Sequence, residues 1–360
     1  MDENNQRLTK HLEKEGVEPL DNSGRKAEKA LVPPRPAARR REIRRWGVIL
    51  AGGDGTRLQR LTRLIYGEER PKQFCALIGA ETLLEQTRLR TERNIAAHQI
   101  AVALTKSHRS FYLQESGIRP AQRIIQPANK GTAPAILYSL LSIERNDPDA
   151  IVAILPADHH YSAERNFDSA LDRAFDVAAK DTNSVVIFGA QPEYPEIEYG
   201  WIELGSFVRS GDKDLFSVRR FCEKPPLAAA QQLLEQGSLW NTFVMVGHVK
   251  IFLEMMESTL PDLVNFFRVT RKWIGTEAHI EDSFYNSINS LDFSRAVLSL
   301  QPRRLTALKL AKAGWSDLGH PERVIAAVEA AGLRPEWMSI WKAQRQAPAP
   351  ATVAAALAIA

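Results

Sequence analysis

Trp46-Gly47-Val48-Ile49-Leu50-Ala51 runs directly into Gly52-Gly53-Asp54-Gly55-Thr56-Arg57. The first half is an apolar, strand-like run and the second is a glycine-rich turn. Three glycines in four residues let the backbone pass close to a polyanion with its N–H groups turned toward it. Arg57 adds a fixed cation, and Pro71-Lys72-Gln73-Phe74 carries a second one in another turn. Such a loop suits a nucleoside triphosphate. It is not a Walker A loop, because no Gly-Lys-Ser/Thr closes it. Leu58 stands where a Gly-x-Gly-x-x-Gly reading needs its last glycine, so the dinucleotide fingerprint fails as well.

Outward from this stretch the pattern alternates strand and helix. Residues 100–104, 123–125, 151–155 and 184–189 are short apolar runs, and 83–93, 133–143 and 167–179 have helical spacing. Continuous apolar strands joined by helices predict an α/β, doubly wound, mostly parallel, Rossmann-like sheet. Past Tyr199 the texture changes. Residues 200–208 and 215–221 read as strands joined by a Gly211-Asp212 turn, a small β-rich subdomain. Residues 321–331 read as a helix opened by Pro321 and stopped by Gly332.

The net charge of +4 belongs to one end of the chain. Residues 1–45 hold twelve Lys/Arg and eight Asp/Glu, and the other 315 residues hold 35 of each sign. We expect 1–45 to be a disordered basic extension, 46–335 one domain, and 336–360 a frayed Ala/Pro-rich tail. A neutral core gives no reason to expect a nucleic-acid partner. Residues 351–360 are apolar but far short of the ~20 needed to span a bilayer, so no membrane partner is expected. Two cysteines, Cys75 and Cys222, and no apolar leader segment point to a reducing, cytoplasmic setting. Homo-oligomerisation is left open.

Seven motifs follow one another in a fixed order. They are the glycine loop, Pro71-Lys72-Gln73-Phe74, Leu155-Pro156-Ala157-Asp158-His159, Tyr199-Gly200-Trp201-Ile202, Glu223-Lys224-Pro225, Trp240-Asn241 and Gly314-Trp315-Ser316-Asp317-Leu318-Gly319. Over about 46–333 the chain thereby resembles the sugar-phosphate nucleotidyltransferases, most of all the mannose-1-phosphate guanylyltransferase branch. The resemblance implies that Asp158 and Asp317 hold Mg²⁺ together with a triphosphate. Arg57 and Lys72 then neutralise the triphosphate, while Gly52, Gly53, Gly55 and Thr56 cradle it. Gln126, Gly131 and Thr132 form the base pocket. Gly200, Glu223, Lys224 and Asn241 receive the sugar phosphate.

Each residue also has a plainer reading. Asp158 could cap a loop, Asp317 could be a helix N-terminal acid, and Lys224 could be an exposed strand-end lysine. Gln126 could lie in an ordinary strand-to-helix loop. His159 and His160 are read as wall residues, because a zinc site needs further ligands at set spacings. The chain also departs from the guanylyltransferase pattern. Gln59-Arg60 replace Trp-Pro, Gly131 replaces Asn, Gln126 replaces Glu, and Thr242-Phe243 replace Ser-Gly. Gln126 and Gly131-Thr132-Ala133 resemble the uridylyl- and thymidylyltransferases instead. The implied substrates are small molecules, an NTP and a sugar 1-phosphate. A non-catalytic nucleotide-binding module remains the alternative class.

Overall fold

Strands without a polar face must be covered on both sides, and this chain covers them with helices. The computed structural model describes residues 44–208, 212–271 and 282–346. The strands are β1 (Arg45–Leu50), β2 (Ile100–Thr105), β3 (Arg123–Gln126), β4 (Ile151–Pro156), β5 (His160–Tyr161), β6 (Val185–Ala190), β7 (Gly200–Phe207), β8 (Leu215–Glu223), β9 (Leu239–His248), β10 (Leu305–Leu310) and β11 (Trp315–Ser316). Nine of them form one sheet in the order β3-β2-β1-β4-β9-β6-β10-β8-β7, and β5 pairs with β11 apart from it.

The first four strands are parallel, as expected of a doubly wound half. β9 then enters antiparallel between β4 and β6. β10 runs parallel to β6, and the β7–β8 hairpin completes the sheet. The region past Tyr199 is therefore continuous with the main sheet through β10–β8 and β7–β9.

Successive residues in the central strands go to opposite faces. Val48, Val152, Ile154 and Ile187 pack under helices Thr132–Asn146 and Val249–Thr259, against Ile136, Leu140 and Phe252. Ile49, Ile151, Leu155, Val186 and Phe188 pack under helices Leu83–Glu92 and Glu164–Ala178, against Leu84, Phe167 and Phe175. Each such side chain contributes about 1.5–3 kcal/mol on burial.

A third cluster positions the site. Leu58 and Leu61 behind the glycine loop, Cys75 and Leu77 behind Lys72, and Leu318 beside Asp317 pack with Val324, Val328, Met338 and Trp341.

Two expected boundaries are corrected. Arg44 and Arg45 do not belong to the extension. Arg45 opens β1, pairs with Asp172 and covers the Phe175 ring, and Arg44 Nη1 bonds Asp147 Oδ1 at 2.8 Å. Residues 1–43 lie outside the described residues, as do 347–360 and the expected turn at Gly211. The expected tail begins too early: Glu336–Gln346 is a helix, held by the buried Met338 and Trp341. The helix Pro321–Ala330 starts and stops where proline and glycine predict.

Candidate active site

The loop after β1 is shaped by what lies behind it. A Cβ on Gly52 would stand 2.8 Å from Thr105 Oγ1, and one on Gly55, at φ 62°, 3.0 Å from the Lys72 nitrogen. Gln73 fastens the loop from behind, its Nε2 donating to the carbonyls of Ala51 and Gly53 at 3.0 and 2.7 Å. Two turns far apart in sequence are thus one unit, with Lys72 beside the glycines.

Two cavities open at the carboxyl ends of β1 and β4. The larger, about 510 Å³, runs from Gly52, Gln126, Gly131 and Thr132 to Gly200, Glu223, Asn241 and Phe243. The smaller, about 310 Å³, is walled by Gly53, Gly55, Thr56, Arg57 and Lys72. Asp158, His159 and Asp317 line both.

Lys72 stands between the two aspartates. Its Nζ donates to the Asp317 carbonyl at 2.6 Å and lies 3.2 Å from Asp158 Oδ2. Asp317 is almost buried, at 9% exposure. Its Oδ1 accepts from Tyr199 OH (2.7 Å), Arg323 Nη1 (2.8 Å) and the Gly319 N–H (3.0 Å). Burial alone would raise its pKa. Lys72, Arg323 and His159, with the Tyr199 hydrogen bond, overcome that and lower it to about 2. All three hydrogen bonds fall on one oxygen, so Oδ2 is left to face another partner. Among the described residues no group of three or more His, Cys, Asp or Glu is arranged for a metal. Two hard carboxylates around a locus that already favours positive charge nevertheless fit Mg²⁺, which completes its shell with phosphates and water. His159 is kept neutral by burial, its pKa lowered to about 4, and accepts the Trp315 N–H on Nδ1 at 3.1 Å.

Arg57 lies on the rim of the smaller cavity, its Nη1 bonded to Glu198 Oε2 at 2.5 Å, and His320 adjoins the same oxygen. The His320 hydrogen bond, aided by Arg57 against burial, holds Glu198 below the usual carboxylate range.

At the far wall, Gln126 is buried and its Oε1 accepts from Tyr285 OH at 2.6 Å. Gly131, at φ 85°, is obligatory, since a Cβ there would stand 2.4 Å from the Leu291 carbonyl. Two N–H groups at this helix start are used internally: Gly131 N–H donates to Asn129 Oδ1 and Ala133 N–H to the Leu291 carbonyl. Thr132 Oγ1 accepts the Phe293 N–H.

Glu223 and Asn241 line the opposite end of the larger cavity. Burial, then the like charge of Asp292, raises the Glu223 pKa to about 7 against Lys224, Arg295 and a Ser294 hydrogen bond. Lys224 is the expected site residue that the structure does not bring in. It follows β8 at φ 50°, is exposed, and lines neither cavity.

Sequence reasoning passed over Gln73, Glu198, Tyr285, Asp292 and Arg323 as site residues. Arg323 alone carried a signal: a cation in the first turn of a helix opposes the helix dipole, so it must answer to something else. The position where Phe243 replaces the expected glycine adopts φ 61°.

These features define a two-cavity cleft at the carboxyl ends of a doubly wound sheet. The nucleotidyl transferase family model matches residues 46–332. The chain is 32% identical over 283 residues to the xanthan biosynthesis protein XanB of Xanthomonas campestris pv. campestris (strain B100), covering 76% of this chain and 57% of that protein. It is 28% identical over 309 residues to a mannose-1-phosphate guanylyltransferase of Escherichia coli K12, covering 82% and 59%. Among solved structures, a mannose-1-phosphate geranyltransferase from Thermus thermophilus superposes with a TM-score of 0.68 at 26% identity, covering 79% of this chain and 80% of that one. The chain belongs to the nucleotidyl transferase family. It spans less than two thirds of the length of the curated relatives quoted.

Proposed function

We propose that this chain transfers a nucleotidyl group from an NTP to a sugar 1-phosphate in a Mg²⁺-dependent reaction, with GTP and mannose 1-phosphate as the preferred pair. One observation carries the reading: two cavities share a wall made of Asp158 and Asp317. The smaller, with its glycine turn and two cations, suits a triphosphate tail. The larger is long enough to take a base at β3 and a sugar at β9.

An oxygen of the sugar phosphate bonds to the α-phosphorus as the bond from that phosphorus to pyrophosphate breaks. The attacking oxygen is already ionised, so no proton need be removed and no general base is required. Catalysis then rests on alignment and charge neutralisation. Arg57 and Lys72 neutralise the triphosphate, exchanging Glu198 and Asp158 for phosphate oxygens. Mg²⁺, when bound by Asp158 and Asp317, would supply a Lewis acid at the phosphates. Lys224, although it lines neither cavity, is kept in this proposal as the cation for the sugar phosphate. It follows the cavity-lining Glu223, and its ammonium has no hydrogen bond or ion pair among the described residues.

Gln126 supports a base with a keto group. With Oε1 held by Tyr285, its Nε2 remains as a donor, which suits guanine O6 or uracil and thymine O4. The relatives named guanylyltransferases favour guanine. The resemblance of Gln126 and Gly131-Thr132-Ala133 to the uridylyl- and thymidylyltransferases favours the second reading, UTP or dTTP with glucose 1-phosphate. Four NTPs assayed against mannose and glucose 1-phosphates for pyrophosphate release separate the two. Absence of release from every pair would leave a non-catalytic binding module instead.

A further inference from the structure

Four non-glycine residues among those described have positive φ: Lys224, Phe243, Lys312 and Leu318. For a bulky residue this conformation is a real outlier, and it persists only where the surroundings enforce it. Phe243 has the bulkiest side chain of the four and lines the larger cavity.

The enforcement is local and specific. Between the pairs Ile187↔Met245 and Gly189↔Asn241 the chain advances two residues on β6 and four on β9. The bulge is pinned by two side chains. Asn241 Oδ1 accepts the Phe243 N–H at 3.1 Å, while Thr242 Oγ1 donates to the Phe188 carbonyl at 3.1 Å and accepts the Val244 N–H at 3.4 Å. Bulges of this kind re-aim a side chain. Pairing of β9 with β4 ends at Met245, so Phe243 is released at the carboxyl end of β4, where the cavity lies.

Its position along the sheet says which part of a ligand it meets. Gln126, at the base end, is on β3, and β9 is four strands away in the sheet order. At strand spacing that separation is about 19 Å, the far end of a nucleotide-sugar. Around Phe243 the cavity wall carries Glu223, Asn241 and Asp292, which can bond hydroxyl groups. An aromatic face ringed by a few convergent polar groups suits a pyranose, with one C–H face apolar and an edge of hydroxyls.

Building on the transferase reading, we propose that Phe243 is the specificity-determining residue for the sugar. Its ring is the platform on which a pyranose 1-phosphate is laid, and the Asn241–Thr242 bulge exists to present it.

Calorimetry on the full chain tests this without turnover, with mannose 1-phosphate, inorganic phosphate and GTP as probes. Phe243→Leu removes the flat ring and should weaken mannose 1-phosphate about tenfold, with Phe243→Tyr within about twofold of wild type. GTP and inorganic phosphate should bind all three proteins alike, because neither contacts the platform. Should Phe243→Leu fail to fold, Phe243→Gly carries the same expectation, since glycine adopts this φ freely. Equal mannose 1-phosphate affinity in wild type and Phe243→Leu overturns the proposal, as does parallel loss of GTP. A wild type that binds neither mannose nor glucose 1-phosphate also overturns it. Wild type that binds the sugar phosphate through Phe243 but releases no pyrophosphate ends the catalytic reading and leaves this one standing.

Discussion

Asp158 and Asp317 share a cavity wall but not an environment, and their variants should part accordingly. Asp158 is more exposed and, among the described residues, pairs with Lys72 and, at 3.9 Å, His159. Asp317 is almost buried and carries Tyr199, Arg323 and Gly319 on one oxygen. Asp158→Asn and Asp317→Asn should each reduce pyrophosphate release by several kcal/mol of transition-state stabilisation. Only Asp317→Asn should also lower the melting temperature, since it removes one of the two carboxylates paired with Arg323, leaving Glu196 alone, in a largely buried position. Wild-type turnover in either variant at limiting Mg²⁺ would remove that residue from the metal site. Glu223 provides a second test. Its folded pKa is raised, so its stabilising contribution is complete below its ordinary pKa and is lost as pH rises through about 7. Melting temperatures of wild type and Glu223→Gln should therefore diverge from about pH 5 to 8, the variant gaining on wild type. A gap that stays constant with pH would refute the shift. Asp158 was legible because it ends an apolar run that can only be a buried strand. A one-dimensional motif does not reveal that Lys224 follows β8 at φ 50° and lies outside the lining of both cavities.

At the scale of elements, the parallel half was read nearly to the residue, because β2, β4 and β6 are unbroken apolar runs. β9 went unread because Asn241 and Thr242 interrupt its pattern at the bulge. The last helix was missed for another reason: of its residues 336–344, only Met338 and Trp341 are buried, too few for a clear period. Yet those two close the cluster that backs both the glycine loop and the Asp317 turn. Trp341→Ala should cost about 3 kcal/mol, near the low end for a large core truncation, because its cluster is a small one beside the main sheet. Thermal melting measures it, and a change under about 0.5 kcal/mol, typical of surface sites, would mean that this helix is not part of the core.

For the molecule as a whole, the net charge of +4 divides evenly once Arg44 and Arg45 are counted with the core: residues 1–43 hold ten Lys/Arg and eight Asp/Glu, and residues 44–360 hold 37 and 35. Arg44 and Arg45 belong to the core because they are tied to Asp147 and Asp172. Removing residues 1–43 should leave turnover and melting temperature unchanged. Extending the deletion through Arg45 should destabilise the fold, since it strips the guanidinium from the Phe175 face along with both ion pairs. A large loss on the shorter deletion would show that the extension packs on the core. The sheet order carries a consequence for biogenesis. β4 and β6 are neighbours in sequence among the large-sheet strands, yet neither touches the other, and β9 must be inserted between them. Until about two thirds of the chain has left the ribosome, both strands present bare edges, and bare edges recruit other strands. A nascent chain paused before Leu239 is thus the most aggregation-prone form this protein takes. Slowing synthesis across that interval should therefore lower the yield of folded protein.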